Sequence, residues 1–381
     1  MKSNSAFGAV VILAFLTGLR DSAADEIVLK VHDAPTRLAA SADGTILAAT
    51  EGRGHILLWN IPEHRFLHDI DTARGDWRAL AFSPNNELLA STSLKSIRLW
   101  NVATGEDTGC LDGHKQIVLS FDFSNDGKSL ASISLDGMMI VWDVDSRMEK
   151  FHKAVFPGNN GHIAFRSDGS ILVAGTNDNL ICVWKVRDET AELVARAPHN
   201  GWDVNRFAFS PDRKTLALAV ERRFGTDDDR DLDQIHLWDL TCAEVLGAKT
   251  LKLLGFQSTP DLREICPKWG KVLLGHRGPI NAIEFTPDGN KLVSASGERR
   301  SIGYGLNVAG KLSKKKTEVR ECAVKVWDAS ECQELAALKG HSASVRSLAI
   351  SSDSLTVFSG SLDSTVRAWD IPANKAAETV D

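Results

Sequence analysis

Residues 340–370 read GHSASVRSLAISSDSLTVFSGSLDSTVRAWD, and residues 113–143 read GHKQIVLSFDFSNDGKSLASISLDGMMIVWD, with Gly-His, an Asp thirteen positions on, SLD and Trp-Asp at the same offsets. Self-similarity of this kind constrains a fold more than any other feature, because a repeated unit must bury its apolar face on its neighbours. Seven tryptophans, Trp59, Trp100, Trp142, Trp184, Trp238, Trp327 and Trp369, close comparable segments (LLWN, RLWN, IVWD, CVWK, HLWD, KVWD, RAWD). Their spacings are 41, 42, 42, 54, 89 and 42, so the period is about 42 and two intervals carry insertions.

Within each repeat, short apolar alternations such as SVRSLAIS, LTVFSGS and TVRAWDI are separated by SPNN, SNDG, RSDG, SPDR and TPDG. Period-two alternation between such turn signals is strand grammar, at four strands per repeat.

On the Gly-His start, the mid-repeat Asp-Gly turn, the Trp-Asp end and the period, the chain resembles the tryptophan-aspartate (WD) repeat family over residues 26–380. The resemblance implies an all-β fold, a seven-bladed β-propeller of four-stranded antiparallel blades. It also implies that each repeat straddles two blades, so that residues 26–31, EIVLKV, can add an outer strand to the last blade and close the ring. The tail KAAETV at 375–380 competes for that place, but EIVLKV has more strand formers.

At the N-terminus, Lys2, an apolar run over residues 6–19 and Ser22-Ala23-Ala24 read as a signal peptide over residues 1–24. About fourteen apolar residues fall short of the ~20 that a spanning helix needs, so no membrane span is expected after cleavage. The propeller then occupies 25–381, exported to a periplasm or outside the cell. Loss of Lys2, Arg20 and Asp21 takes the net charge from −6 to −7. A mildly acidic chain without a continuous basic run is not expected to bind nucleic acid.

Of the six cysteines, Cys322 and Cys332 flank Trp327 in a hairpin that holds them roughly 12 to 16 Å apart, beyond disulfide reach. Cys242 and Cys266 flank an insertion and could close it, while Cys110 and Cys182 fall in strand patterns.

In the third and seventh repeats, His114, Ser132, Asp136 and Trp142, and His341, Ser359, Asp363 and Trp369, match the family's internal hydrogen-bond tetrad. These sets superficially resemble a hydrolase triad, but each accompanies a blade-building Trp and no GxSxG elbow is present. The first two repeats lack Gly-His. The fourth has His162 too close to Phe165 for the usual offset.

Insertions fall near 221–233, 243–268 and 298–321, and in the second of these Thr259-Pro260-Asp261 predicts a short helix. The first and third occupy the same slot in neighbouring repeats, between the second and third strands. The first carries Asp227, Asp228 and Asp229, and the third Lys314, Lys315 and Lys316. A solvated loop, a partner contact and a calcium site compete for the acidic run; it lacks the Gly and distal Glu of an EF-hand.

The family resemblance places that slot on the Gly-His face, where partners commonly bind. Trp202, Asp203 and Arg277 join the two charged loops as one candidate contact surface, with Trp202 in the loop before its strand. Trp77 aligns with the first apolar residue of an inner strand and is expected to pack. The reading is an exported, non-enzymatic, monomeric scaffold for a protein or peptide partner, without cofactor or metal. The alternative is a propeller enzyme or metal-binding protein using its central channel, though no H-E-x-x-H or clustered Cys/His spacing supports it.

Overall fold

The computed structural model describes residues 27–31, 33–52, 54–72, 77–155, 158, 160–177, 180–187, 190–198, 202–222, 233–240, 271–276, 278–297, 304–306, 312–314 and 322–373. After β1 (Ile27–Lys30), blade one is β2 (Pro35–Ala40), β3 (Ile46–Glu51), β4 (His55–Asn60) and β5 (Arg65–Asp71). Blade two is β6 (Leu80–Phe82), β7 (Leu88–Ser93), β8 (Ser96–Asn101) and β9 (Asp107–Asp112). Blade three is β10 (Val118–Phe123), β11 (Ser129–Ser134), β12 (Met138–Asp143) and β13 (Glu149–Ala154). Blade four is β14 (Gly161–Phe165), β15 (Ile171–Asn177), β16 (Leu180–Arg187) and β17 (Thr190–Pro198). Blade five is β18 (Trp202–Phe209), β19 (Thr215–Arg222), β20 (Gln234–Asp239) and β21 (Lys271–Leu273). Blade six is β22 (Ile280–Phe285) and β23 (Lys291–Ser296), then, beyond a separate hairpin of β24 (Tyr304–Leu306) and β25 (Leu312–Lys314), β26 (Ala323–Asp328) and β27 (Glu334–Lys339). Blade seven is β28 (Val345–Ile350), β29 (Thr356–Ser361) and β30 (Thr365–Asp370), completed by β1.

The N-terminal strand therefore closes the ring. β1 runs antiparallel to β30, from Ile27 opposite Ala368 to Lys30 opposite Thr365. Closure in this way gives blade seven its fourth strand and removes the open end that a linear stack of blades would leave.

The turn between the first and second strands is the same device in every blade. Ser41, Ser83, Ser124, Ser210, Thr286 and Ser351 each donate a hydroxyl to the Asp or Asn two residues on, at 2.5 to 2.7 Å. Blade four reverses the order, Ser170 donating to Asp168 at 2.5 Å. The fourth turn residue adopts positive φ at Gly44, Asn86, Gly127, Gly169, Arg213 and Gly289, and Ser354 does so at 63°. Such a backbone suits Gly and Asn, which explains the recurrent Asp-Gly.

Blades meet through seven apolar clusters, one per neighbouring pair, and each receives a repeat-ending Trp. Trp59 packs between blades seven and one, Trp100 between one and two, and Trp142 between two and three. Trp184, Trp238, Trp327 and Trp369 serve the next four junctions in order. Packing a large aromatic at every junction makes the ring one body, since no blade can leave without exposing two such clusters.

Among the described residues, no helix is long and apolar enough to cross a membrane. The third insertion holds the β24–β25 hairpin, which its Gly- and Lys-rich composition did not announce. Residues 1–24, the tail at 375–380, the expected helix near Thr259, Cys242 and Cys266 lie outside the described residues. The register sets Ala323 opposite Lys339 and Trp327 opposite Glu334, so Cys322 and Cys332 sit at opposite ends of the β26–β27 hairpin.

Candidate functional site

The side chains that tie the loops to the blades come first, because they fix the face on which a partner could land. His114 shares a hydrogen bond with Asp136 through Nδ1 at 3.1 Å and with Ser132 through Nε2 at 2.8 Å, while Trp142 donates to the same Ser132 oxygen at 2.8 Å. In blade seven, His341 meets Asp363 at 2.9 Å and Ser359 at 2.8 Å, and Trp369 donates to Ser359 at 2.7 Å. Each Asp also accepts the backbone N–H that follows its His, from Lys115 and from Ser342. Burial lowers the pKa of both histidines despite the carboxylate beside each. Ser132 and Ser359 are 0% exposed, so neither hydroxyl can meet a substrate, and the arrangement locks geometry.

Blade six carries most of the same network, which the sequence reading passed over. His276 meets Ser294 at 2.6 Å and Trp327 donates to Ser294 at 2.7 Å. Burial, with Lys325 adding to it, holds His276 down at about 3. The signal was available: Ser294 precedes Trp327 as Ser359 precedes Trp369 in strand register. Blade two keeps only the bond from Trp100 to Ser91, at 2.9 Å. His162 lies inside β14, opposite Ala174, rather than in a preceding loop. It stacks on Phe209, and burial, with Arg213 adding to it, holds its pKa at about 4.

The innermost strands line a central channel of about 420 Å³. A register shift near the start of β2, β10, β18, β22 and β28 inserts one extra residue in each. Bulges re-aim side chains, and at this level Arg37, Arg206 and Arg346, with Arg78 just before β6, line the channel. Arg37 and Arg206 are held alike. Arg37 donates from Nε to Arg78 O at 2.6 Å and from Nη1 to Thr36 O at 2.7 Å; Arg206 donates from Nε to Asn281 O at 2.6 Å and from Nη1 to Asn205 O at 2.7 Å. Each guanidinium thus bonds its own strand and that of the next blade. Burial, with Arg346 and Arg78 nearby, lowers the pKa of Arg206, but a guanidinium stays charged in water's pH range.

The acids sit further along. Asp122 and Glu284 occupy the same position near the ends of β10 and β22. Asp122 accepts from the Phe165 N–H at 2.8 Å and lies 3.6 Å from Arg213; burial raises its pKa against that help. Glu284 is half-buried in the channel wall, and burial pushes its pKa up to about 8. At neutral pH its carboxyl is therefore largely protonated.

Of the expected contact residues, Trp202 and Asp203 are the first two residues of β18, opposite Arg222 and Glu221. Trp202 thus begins the strand instead of preceding it, because the β18–β19 ladder runs on past the bulge to the insertion. Lys314 ends β25. Asp227, Asp228, Asp229, Arg277, Lys315 and Lys316 lie outside the described residues. Their flanking strands agree in direction: β19 and β23 both end where the innermost strands begin, Arg222 opposite Trp202 and Ser296 opposite Ile280. Trp77 is buried at the junction of blades one and two and donates to Glu51 O at 3.1 Å. Among the described residues, no group of three or more His, Cys, Asp or Glu is placed to hold a metal ion.

Seven four-stranded antiparallel sheets joined through buried tryptophans define a β-propeller. The family model for the WD domain, G-beta repeat, matches residues 67–101, 105–143, 152–185, 268–300 and 332–370, and the chain belongs to the WD-repeat proteins. It is 21% identical over 412 residues to transducin beta-like protein 3 of Rattus norvegicus, covering 90% of this chain and 50% of that protein. It is 23% identical to WD repeat-containing protein 18 of Mus musculus, covering 69% of this chain and 58% of that protein. It is 30% identical over 191 residues to apoptotic protease-activating factor 1 of Homo sapiens, covering 47% of this chain and 15% of that protein. The chain thus spans less than two thirds of these relatives' lengths.

Proposed function

We propose that this WD-repeat propeller is an exported, non-enzymatic scaffold that holds a protein or peptide partner on the face where its innermost strands begin. One observation carries the reading. β19 and β23, the strands that lead into the two charged insertions, end beside the starts of β18 and β22, Arg222 opposite Trp202 and Ser296 opposite Ile280, and the channel arginines lie on or just before innermost strands of the same ring. Loops on a scaffold held rigid by a tryptophan packed at each of seven blade junctions are where binding residues concentrate. The contact surface comprises Trp202, Asp203, Arg277, Asp227, Asp228, Asp229, Lys314, Lys315 and Lys316. The buried serines of the His-Ser-Asp sets support the non-enzymatic reading.

Quantitative pull-down from the native source tests it, comparing the wild-type chain with one carrying W202A and Ala at Lys314, Lys315 and Lys316. Partners should be lost from the variant while its melting temperature holds. Retention of every partner would sink the proposed surface. N-terminal sequencing of the secreted protein tests export separately, with Asp25 expected as the first residue.

A further inference from the structure

The four channel arginines come from four different blades, at residues 37, 78, 206 and 346, yet line one cavity. Among the described residues, Arg206 and Arg346 form no ion pair. Arg206 spends Nε and Nη1 on backbone carbonyls, which fix its plane without cancelling its charge. Arg346 is exposed, and β28 presents it at the bulge between Val345 and Ser347.

The polar groups around them are mostly committed. Asn160 donates to Val204 O, Asn281 to Val345 O, and Asn205 to Glu221. Ser347, 4% exposed, has no hydrogen-bond partner for its hydroxyl. The carboxyl groups of Asp122 and Glu284 lie beyond, toward the other end of the innermost strands. A cavity lined by four arginines, two of which, Arg206 and Arg346, form no ion pair among the described residues, favours an anion with several oxygens.

We propose that this mouth is an oxyanion site, in which Arg206 and Arg346, assisted by Arg37 and Arg78, take a multivalent anion of the phosphate class. The site rests on channel geometry and not on the charged loops, so it stands or falls independently of the partner surface above. Arginine suits such a ligand because its planar fork offers paired donors to phosphate oxygens.

Isothermal titration of the full chain with sodium tripolyphosphate at low ionic strength tests this. A saturable one-to-one isotherm is expected, weakening as salt rises. R206Q and R346Q should each weaken it by about tenfold, and R65Q, on the outer strand β5 beside Glu63, should leave it unchanged. Arg346 makes no hydrogen bond among the described residues, so R346Q keeps the fold and keeps the test decisive if R206Q unfolds. Absence of saturable binding, or an unaltered isotherm in R346Q, overturns the proposal. Where tripolyphosphate binds, immobilised chain is next offered degenerate phosphothreonine peptides and their unphosphorylated counterparts. Phosphate-dependent retention lost in R346Q places the phosphate on a partner's side chain, and equal retention of both pools assigns the site to a free anion.

Discussion

Ser359, fully buried, holds two groups at once, accepting from Trp369 and bonding His341. Removing its hydroxyl leaves both without that partner in a site closed to water, a loss of about 1–3 kcal/mol. Ser359→Ala should therefore lower the midpoint of urea unfolding, and Ser91→Ala should do so less, because Ser91 bonds only Trp100. Equal losses would mean that the histidine adds nothing to the lock. Glu284 makes a second residue-scale prediction. A carboxyl raised to about 8 in the folded chain contributes stability that is complete below its unfolded value, about 4.3. That contribution drains away as pH climbs through 8, because the unfolded chain ionises first. Glu284→Gln removes the penalty, so its gain in melting temperature should be small at pH 5 and larger at pH 9. A gain that shrinks with rising pH contradicts the burial.

At the scale of elements, β1 is the piece whose removal reports most. It supplies only four paired residues, yet without it β30 becomes an unpaired edge. Deleting residues 27–31 should lower the melting temperature and promote association through that edge, as read by calorimetry and light scattering. An unchanged melt would show that another segment takes its place.

The blades were legible in the sequence because their signals are local: alternation within a strand, a Ser-x-Asp-Gly turn, a Trp at the end. The β24–β25 hairpin was not, since YGL and LSK are too short and mixed in character to stand out. The start of β18 was missed for a different reason. Pairing with β19 continues for three residues beyond the bulge, from Val204 back to Trp202, and a bulge breaks the alternation by which strands are recognised.

At the scale of the whole molecule, the arginine mouth was invisible to a reading along the chain. Arg37, Arg78, Arg206 and Arg346 stand in four repeats and mark no motif within any of them. Counting back from the turn Ser would have found them: Arg37 and Arg206 lie four positions before Ser41 and Ser210, and Arg78 and Arg346 five before Ser83 and Ser351. Only ring closure turns those neighbouring offsets into a common place. The acids obey the same logic, Asp122 and Glu284 standing two positions before Ser124 and Thr286.

A crystal structure of the full chain grown with tripolyphosphate is the most direct measurement of this arrangement. Seven blades are expected, β1 on β30, with Arg206 and Arg346 facing one mouth and phosphate density between them. Six or eight blades, or those two arginines opening on opposite faces, would contradict it.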